Sequence, residues 1–168
     1  MATLTSLDLR VRMTLLPTSY QFEVADNLFD LNWIWVKVRV SASGLPGHFV
    51  HTRLATWELA SLAEHSDQLA DGQRAMWHPR FFDSGLHLWV RRSAERNDTC
   101  IVTLVLSPVT GPLPADALPS WHADRFRHPG GQLEGARFQC SRAALALFAE
   151  ELREAMTAFP VRPLQRAG

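Results

Sequence analysis

An α+β fold is predicted: a single antiparallel β-sheet, flat or strongly curved, of about six to seven strands packed on two helices, the longer one C-terminal. Three observations predict it. Residues 29–40 alternate strictly, with Ile34, Val36, Val38 and Val40 on one side and Trp33, Trp35, Lys37 and Arg39 on the other, as a strand with one buried face requires. Residues 86–92 repeat the division, with Leu86, Leu88 and Val90 against His87, Trp89 and Arg91, and a second apolar segment follows at 99–106. Residues 141–159 place Leu145, Phe148, Ala149, Leu152, Met156 and Phe159 at helical spacing, with Glu150, Glu151, Arg153 and Glu154 opposite, the pattern of an amphipathic helix.

The remaining elements follow in order. Residues 7–15, with Leu9, Val11 and Met13 in phase, and residues 19–24, with Tyr20, Phe22 and Val24, read as strands separated at Pro17. Gly44-Leu45-Pro46-Gly47 reads as a turn, so that residues 49–54 form a hairpin with the Trp33 strand. Thr56 caps a helix with Glu58 in its first turn and Leu59, Leu62, Ala63 and Leu69 on its apolar side, ending at Asp71-Gly72. A last short strand is expected at 136–140, and Ser141 caps the C-terminal helix, which Pro160 stops. The domain reading is one α+β domain over residues 1–160 with an irregular Pro/Gly-rich loop at 108–135, followed by a flexible tail at 161–168.

Composition bounds the function. In 168 residues, 46% of them hydrophobic, there is material for one sizeable core. Seventeen basic and seventeen acidic residues balance to a net charge of +0, so no whole-molecule field attracts nucleic acid or an anionic membrane. Apolar runs are short and interrupted by charge, and no secretory signal is evident at the start, which leads to a cytoplasmic expectation with no membrane association. Cys100 and Cys140 are too few for a disulfide framework or zinc knuckle and alternate with apolar neighbours, so both are expected as buried thiols.

The Trp-and-cation rows carry the functional reading. If all core faces turn to the helices, the opposite surface gathers Arg10, Arg12, Trp33, Trp35, Lys37, Arg39, His51 or Thr52, His87, Trp89 and Arg91. Tryptophan and arginine concentrate binding energy at interfaces, so Trp33, Trp35, Lys37, Arg39, Trp89 and Arg91 are the candidate partner-binding residues. The competing reading has the rings covered by the 108–135 loop or by one another, with cation stems packed over them.

Signals for other chemistry are weaker. His48 and His51 would point to opposite faces of one strand, and His122, Asp124 and His128 match no metal-ligand spacing. Neither a Gly-x-Ser-x-Gly elbow nor a phosphate-cradling glycine loop is present. Residues 121–128 mix rings and cations as single-strand binders do, but Asp124 and the neutral chain favour a solvated loop. No catalytic residue, metal or cofactor is therefore expected.

Three segments taken in order resemble the WapI-type family of bacterial immunity proteins, which accompany polymorphic toxins: Tyr20-x-Phe22 leading into Asp30-Leu31-Asn32-Trp33-Ile34-Trp35-Val36; Thr56-Trp57-Glu58-Leu59 with its helix; and Trp77-His78-Pro79 through Leu86-His87-Leu88. The resemblance covers residues 18–107, with His78 standing where the pattern carries an acidic residue. It implies a small non-catalytic binding protein that neutralises a cognate toxin stoichiometrically, with Asp30, Asn32 and Trp33 as structural signature positions. The alternatives are a homo-oligomeric assembly module, such as a homodimer, and a hydrolase using His122, His128 and Asp124.

Overall fold

A computed structural model describes residues 1–42, 45–82, 84–107, 125–127 and 134–163. The α+β class holds, but the strands divide between two antiparallel sheets. The first is a four-stranded meander of β1 (Ala2–Thr5), β2 (Val11–Tyr20), β3 (Trp33–Ala42) and β4 (Leu45–Ala55). The second contains β5 (Met76–Trp77), β6 (Leu86–Arg92), β7 (Thr99–Leu106), β8 (Arg125–Arg127) and β9 (Glu134–Ser141), in the order β5-β6-β7-β9-β8. A short helix α1 (Leu28–Leu31) precedes β3, and two fifteen-residue helices, α2 (Thr56–Ala70) and α3 (Arg142–Met156), pack on each other and on both sheets.

The division has a local cause. Where a continuous sheet would pair β4 with the start of β6, the Thr52 hydroxyl accepts the Gly85 N–H at 3.2 Å and bonds Ser84 Oγ at 3.0 Å. Side-chain bonding there takes the place of a strand ladder. Gly85 approaches so closely that a Cβ on it would collide with the Ser107 carbonyl. On the other flank the Leu7 N–H donates to the Gln139 carbonyl at 2.8 Å. Both sheets nevertheless feed one core, in which Val36, Val38, Leu88, Val102, Leu62, Phe148 and Leu152 belong to a single buried cluster. Each fully buried Leu, Val or Phe contributes roughly 1.5–3 kcal/mol.

The N-terminal strands differ from expectation. Residues 7–15 do not form one strand, because the chain turns at residues 6–10 with Leu9 at φ 60°. The Ser6 N–H bonds the Val11 carbonyl at 2.8 Å, and Asp8 accepts from Ser6 Oγ at 2.6 Å and the Arg10 N–H at 3.1 Å. These bonds, the Ser6 hydroxyl foremost, hold the Asp8 carboxyl below its ordinary pKa. Pro17 lies inside β2, where the ladder to β3 shifts register between Pro17 and Ser19, a position that tolerates a missing donor.

Helix α2 begins at Thr56, so Ala55 rather than Thr56 is its N-cap, and Glu58 accepts the Ala55 N–H at 2.8 Å. Gly72 follows with φ 79°, which stops the helix as expected. Ser141 caps α3 by accepting the Ala144 N–H at 3.0 Å, and the Asp67–Arg153 ion pair joins the two helices. Cys100 and Cys140 face each other across the β7–β9 ladder as buried free thiols. Burial pushes the Cys140 thiol up to about 12 and raises that of Cys100. Among the described residues, no helix is long and apolar enough to cross a membrane.

Two segments carry more order than predicted. Within the 108–135 loop, Arg125–Arg127 forms β8 and β9 begins at Glu134; residues 108–124 and 128–133 lie outside the described residues, and with them His122, Asp124 and His128. In the predicted tail, Arg162 is pinned: its N–H donates to Asn32 Oδ1 at 2.7 Å, its guanidinium to the Phe22 carbonyl at 2.8 Å and to the Glu23 carbonyl, and it lies 4.6 Å from the Tyr20 ring centroid. Multiple polar partners, invisible in the local sequence, offset the entropy of ordering that segment. Residues 164–168 are outside the described residues.

Candidate protein-binding surface

The surface is built outward from α1. Asn27 Oδ1 accepts the Asp30 N–H at 2.8 Å while Asn27 Nδ2 donates to Asp30 Oδ2 at 2.7 Å, a reciprocal cap that stabilises one helical turn. Asn32, buried at the end of that turn, donates from Nδ2 to the Leu28 carbonyl at 2.8 Å and to the Arg162 carbonyl at 3.0 Å. The Asp30-Leu31-Asn32-Trp33 motif is thus a structural joint between α1, β3 and the C-terminal segment.

This joint presents aromatic rings. Phe29 lies 5.6 Å from Trp33, 5.0 Å from Trp57 and 5.3 Å from Phe82 between ring centroids. Trp33 is covered by Phe29 and Phe82 and has the Arg53 guanidinium 5.9 Å from its ring, leaving it 6% exposed. It is a buried support beneath the outer rings. The outer rings are open: Phe82 is 74% exposed, Phe29 43% and Trp57 38%. Glu58 fixes the backbone beneath them by accepting the N–H groups of Ala55 and Phe82, the latter at 2.6 Å.

Arg53 also lies 5.9 Å from the Trp35 ring, so the cluster continues onto the outer face of the first sheet. Trp35 is 38% exposed there, Lys37 is half-buried and Arg39 is exposed. Arg12, Lys37 and Arg39 line a depression of about 540 Å³. In the other direction Phe29, Trp57 and Phe82 share a depression of about 400 Å³ with Trp77 and His78. His78 stacks on Trp89 with centroids 4.5 Å apart, and Trp89 and Arg91 line a further depression of about 360 Å³ with Trp77 and Arg137.

The six sequence candidates are therefore distributed over two sheets. Trp35, Lys37 and Arg39 stand on the first, Trp89 and Arg91 on the second, and Trp33 lies beneath the rings that connect them. A series of ring contacts and shared depressions runs from Trp35 to Arg91. Burial lowers the pKa of both His78 and His87, aided by Arg80 and by His78 respectively. Burial thus favours the neutral form of each ring, and both stack on Trp89.

Sequence reasoning misses Phe29, Trp57, Phe82 and Arg53. Alternation assigns Phe29 to the strand that α1 precedes. Trp57 does carry a signal, since it falls off the Leu59–Leu62–Ala63–Leu69 stripe and therefore points away from the core.

Among the described residues, the groups of reactive type are held in structural contacts. His65 Nδ1 lies 2.7 Å from the Ser61 carbonyl and 3.1 Å from Ser61 Oγ, on the same helix. A ring nitrogen that donates to a carbonyl is unable to take the hydroxyl proton. The two thiols sit in the core with raised pKa values, the wrong direction for nucleophiles. Among the described residues, no three His, Cys, Asp or Glu side chains converge as metal ligands.

Comparison with known proteins adds one relationship. Neither a curated protein nor a solved structure matches the chain. The profile of the Immunity protein WapI-like family matches residues 6–160, extending well beyond the 18–107 segment that carries the motifs and taking in β9 and α3. The chain belongs to the Immunity protein WapI-like family.

Proposed function

We propose that this chain is a non-catalytic immunity protein that neutralises a cognate bacterial toxin in the cytoplasm by direct protein–protein contact. The observation that carries the reading is the exposed Phe29–Trp57–Phe82 cluster, held on a capped turn and a hydrogen-bonded loop. Rigid rings supply contact area at low entropic cost and dominate interface energetics. Trp35, Lys37, Arg39, Trp89 and Arg91 extend the surface on either side, and Trp33 supports it from below. Family membership supports a protein partner, which this reading takes to be a toxin domain.

The test is co-expression with the cognate toxin domain. Wild-type protein restores growth, and the Trp57→Ala, Phe82→Ala double variant does not, at equal soluble abundance. Rescue by the double variant contradicts the assigned surface, and failure of the wild type to protect contradicts the immunity reading. A toxin-independent dimer in light scattering that disappears in the double variant assigns the rings to self-association instead.

A further inference from the structure

We propose that the outer face of the first sheet seats a carboxylate-rich segment of the toxin, an inference that rests on the immunity reading above. The chain balances seventeen cations against seventeen anions, yet β1, β2, β3 and β4 together contain Arg12, Lys37, Arg39 and Arg53 and not one Asp or Glu. All seventeen carboxylates are placed elsewhere in the chain. The four strands therefore supply only cations of their own, and a carboxylate that reaches them, that of Glu151 in α3, is engaged by the Thr3 N–H of β1 at 2.7 Å.

The register gathers three of those cations. Lys37 and Arg39 are two residues apart on β3, which places them on one face about 7 Å apart. Arg12 pairs with Ser41 and Thr14 with Arg39, so Arg12 stands diagonal to Arg39, at roughly 7–8 Å. All three line the 540 Å³ depression, with Thr14 and Ser41 supplying hydroxyls between them. The Arg39 guanidinium lies across the Gly47 backbone, where a Cβ would come within 3.1 Å of Nε and 3.2 Å of an Nη. Glycine at that position leaves room for the fork to lie flat.

Arg12 and Arg39 are like charges on neighbouring strands, and an anion placed between them relieves their repulsion while gaining forked hydrogen bonds. Guanidinium geometry matches a carboxylate pair. Trp35 adjoins Lys37 on the same face of β3, and Arg53 links it to Trp33 and so to the exposed rings, so one partner can place an acidic segment here and an apolar one on Phe29 and Phe82. A nucleic acid is the less favoured polyanion, because the zero net charge supplies no long-range attraction to a phosphate backbone.

Two readouts on full-length protein test this. The first is affinity for the catalytically inactivated toxin domain across 50–300 mM salt, comparing wild type with the Arg12→Gln, Lys37→Gln, Arg39→Gln variant and with an Arg74→Gln, Arg96→Gln control that removes cations elsewhere. The expected result is a loss of roughly ten-fold or more at low salt and a flattened salt dependence in the triple variant, with the control unchanged. The second uses Lys37 as the only lysine in the chain: amine acylation, read by mass spectrometry, is slowed there by the toxin domain. Wild-type binding with an unaffected triple variant and unprotected Lys37 overturns this proposal while leaving the immunity reading intact. Absence of wild-type binding overturns both. Retention of a single-stranded oligonucleotide by the wild type, lost in the triple variant and competing with the toxin, replaces the acidic segment by nucleic acid and overturns it as well.

Discussion

Replacing Asn32 by aspartate exchanges an amide for a carboxylate and removes the donors that tie α1 to the C-terminal segment. Asn32 is 1% exposed, and its Nδ2 donates to the Leu28 and Arg162 carbonyls at 2.8 and 3.0 Å. Each lost hydrogen bond costs about 1 kcal/mol net, and a buried carboxylate facing two carbonyl oxygens adds a desolvation and repulsion penalty, for a total of about 3–5 kcal/mol. For a chain of this size that corresponds to a drop of roughly 6–20 °C in melting temperature. The penalty carries a pH signature. The carboxyl introduced at this buried position is held above its unfolded value near 4, and once protonated it donates one bond again. The native state then binds a proton that the unfolded state lacks, so the deficit relative to wild type shrinks as pH falls from 7 towards 4. Urea and thermal melts of wild type, Asn32→Asp and Asn32→Leu at pH 7 and 4.5 decide the matter, Asn32→Leu being destabilised without the pH effect. An Asn32→Asp protein melting within 2 °C of wild type, or a deficit that fails to shrink on acidification, would show that the Asn32 amide is not the joint described above.

Four further outcomes are expected. Arg162→Ala removes two guanidinium bonds to backbone carbonyls and a cation–π contact at a partly exposed site, lowering stability by about 1–2 kcal/mol in chemical denaturation; an unchanged midpoint would show the strap to be inert. Cys100 and Cys140 resist a thiol reagent at pH 8 in the native protein, and both react once urea unfolds it. Because the Cys140 thiol is pushed from 9.0 to about 12, its contribution is present below pH 9 and lost as pH rises towards 12, so Cys140→Ala flattens the fall in stability over that window. Gly85→Ala drives a methyl group into the Ser107 carbonyl and yields little soluble protein, whereas normal expression and melting would contradict the close approach at the junction of the sheets.

What is legible from sequence depends on how local the deciding physics is. β6 and α3 follow from periodicity, because each buries one face against a large core, and β7 follows from its short apolar run, which is buried on both faces. β1 and β2 escape it because Leu7 and Leu9 keep the strand phase through a turn that contains no glycine or asparagine, and the Ser6 and Asp8 side chains close it instead. Strand alternation correctly turns Trp35, Lys37 and Arg39 away from the core. It is unable to reveal that Trp33 on the same face is roofed by Phe29 and Phe82, the latter far away in sequence. Arg162 is likewise settled by Asn32, Phe22 and Glu23, partners about 130 to 140 residues distant.

If the exposed rings are the binding surface of an inhibitor, titration calorimetry of the inactivated toxin domain against wild type and the Trp57→Ala, Phe82→Ala variant will register their loss. Wild type is expected to form a 1:1 complex. The variant, still folded, is expected to lose roughly 2 kcal/mol or more, about thirty-fold or more in affinity. Equal affinity for both proteins would place the binding surface elsewhere.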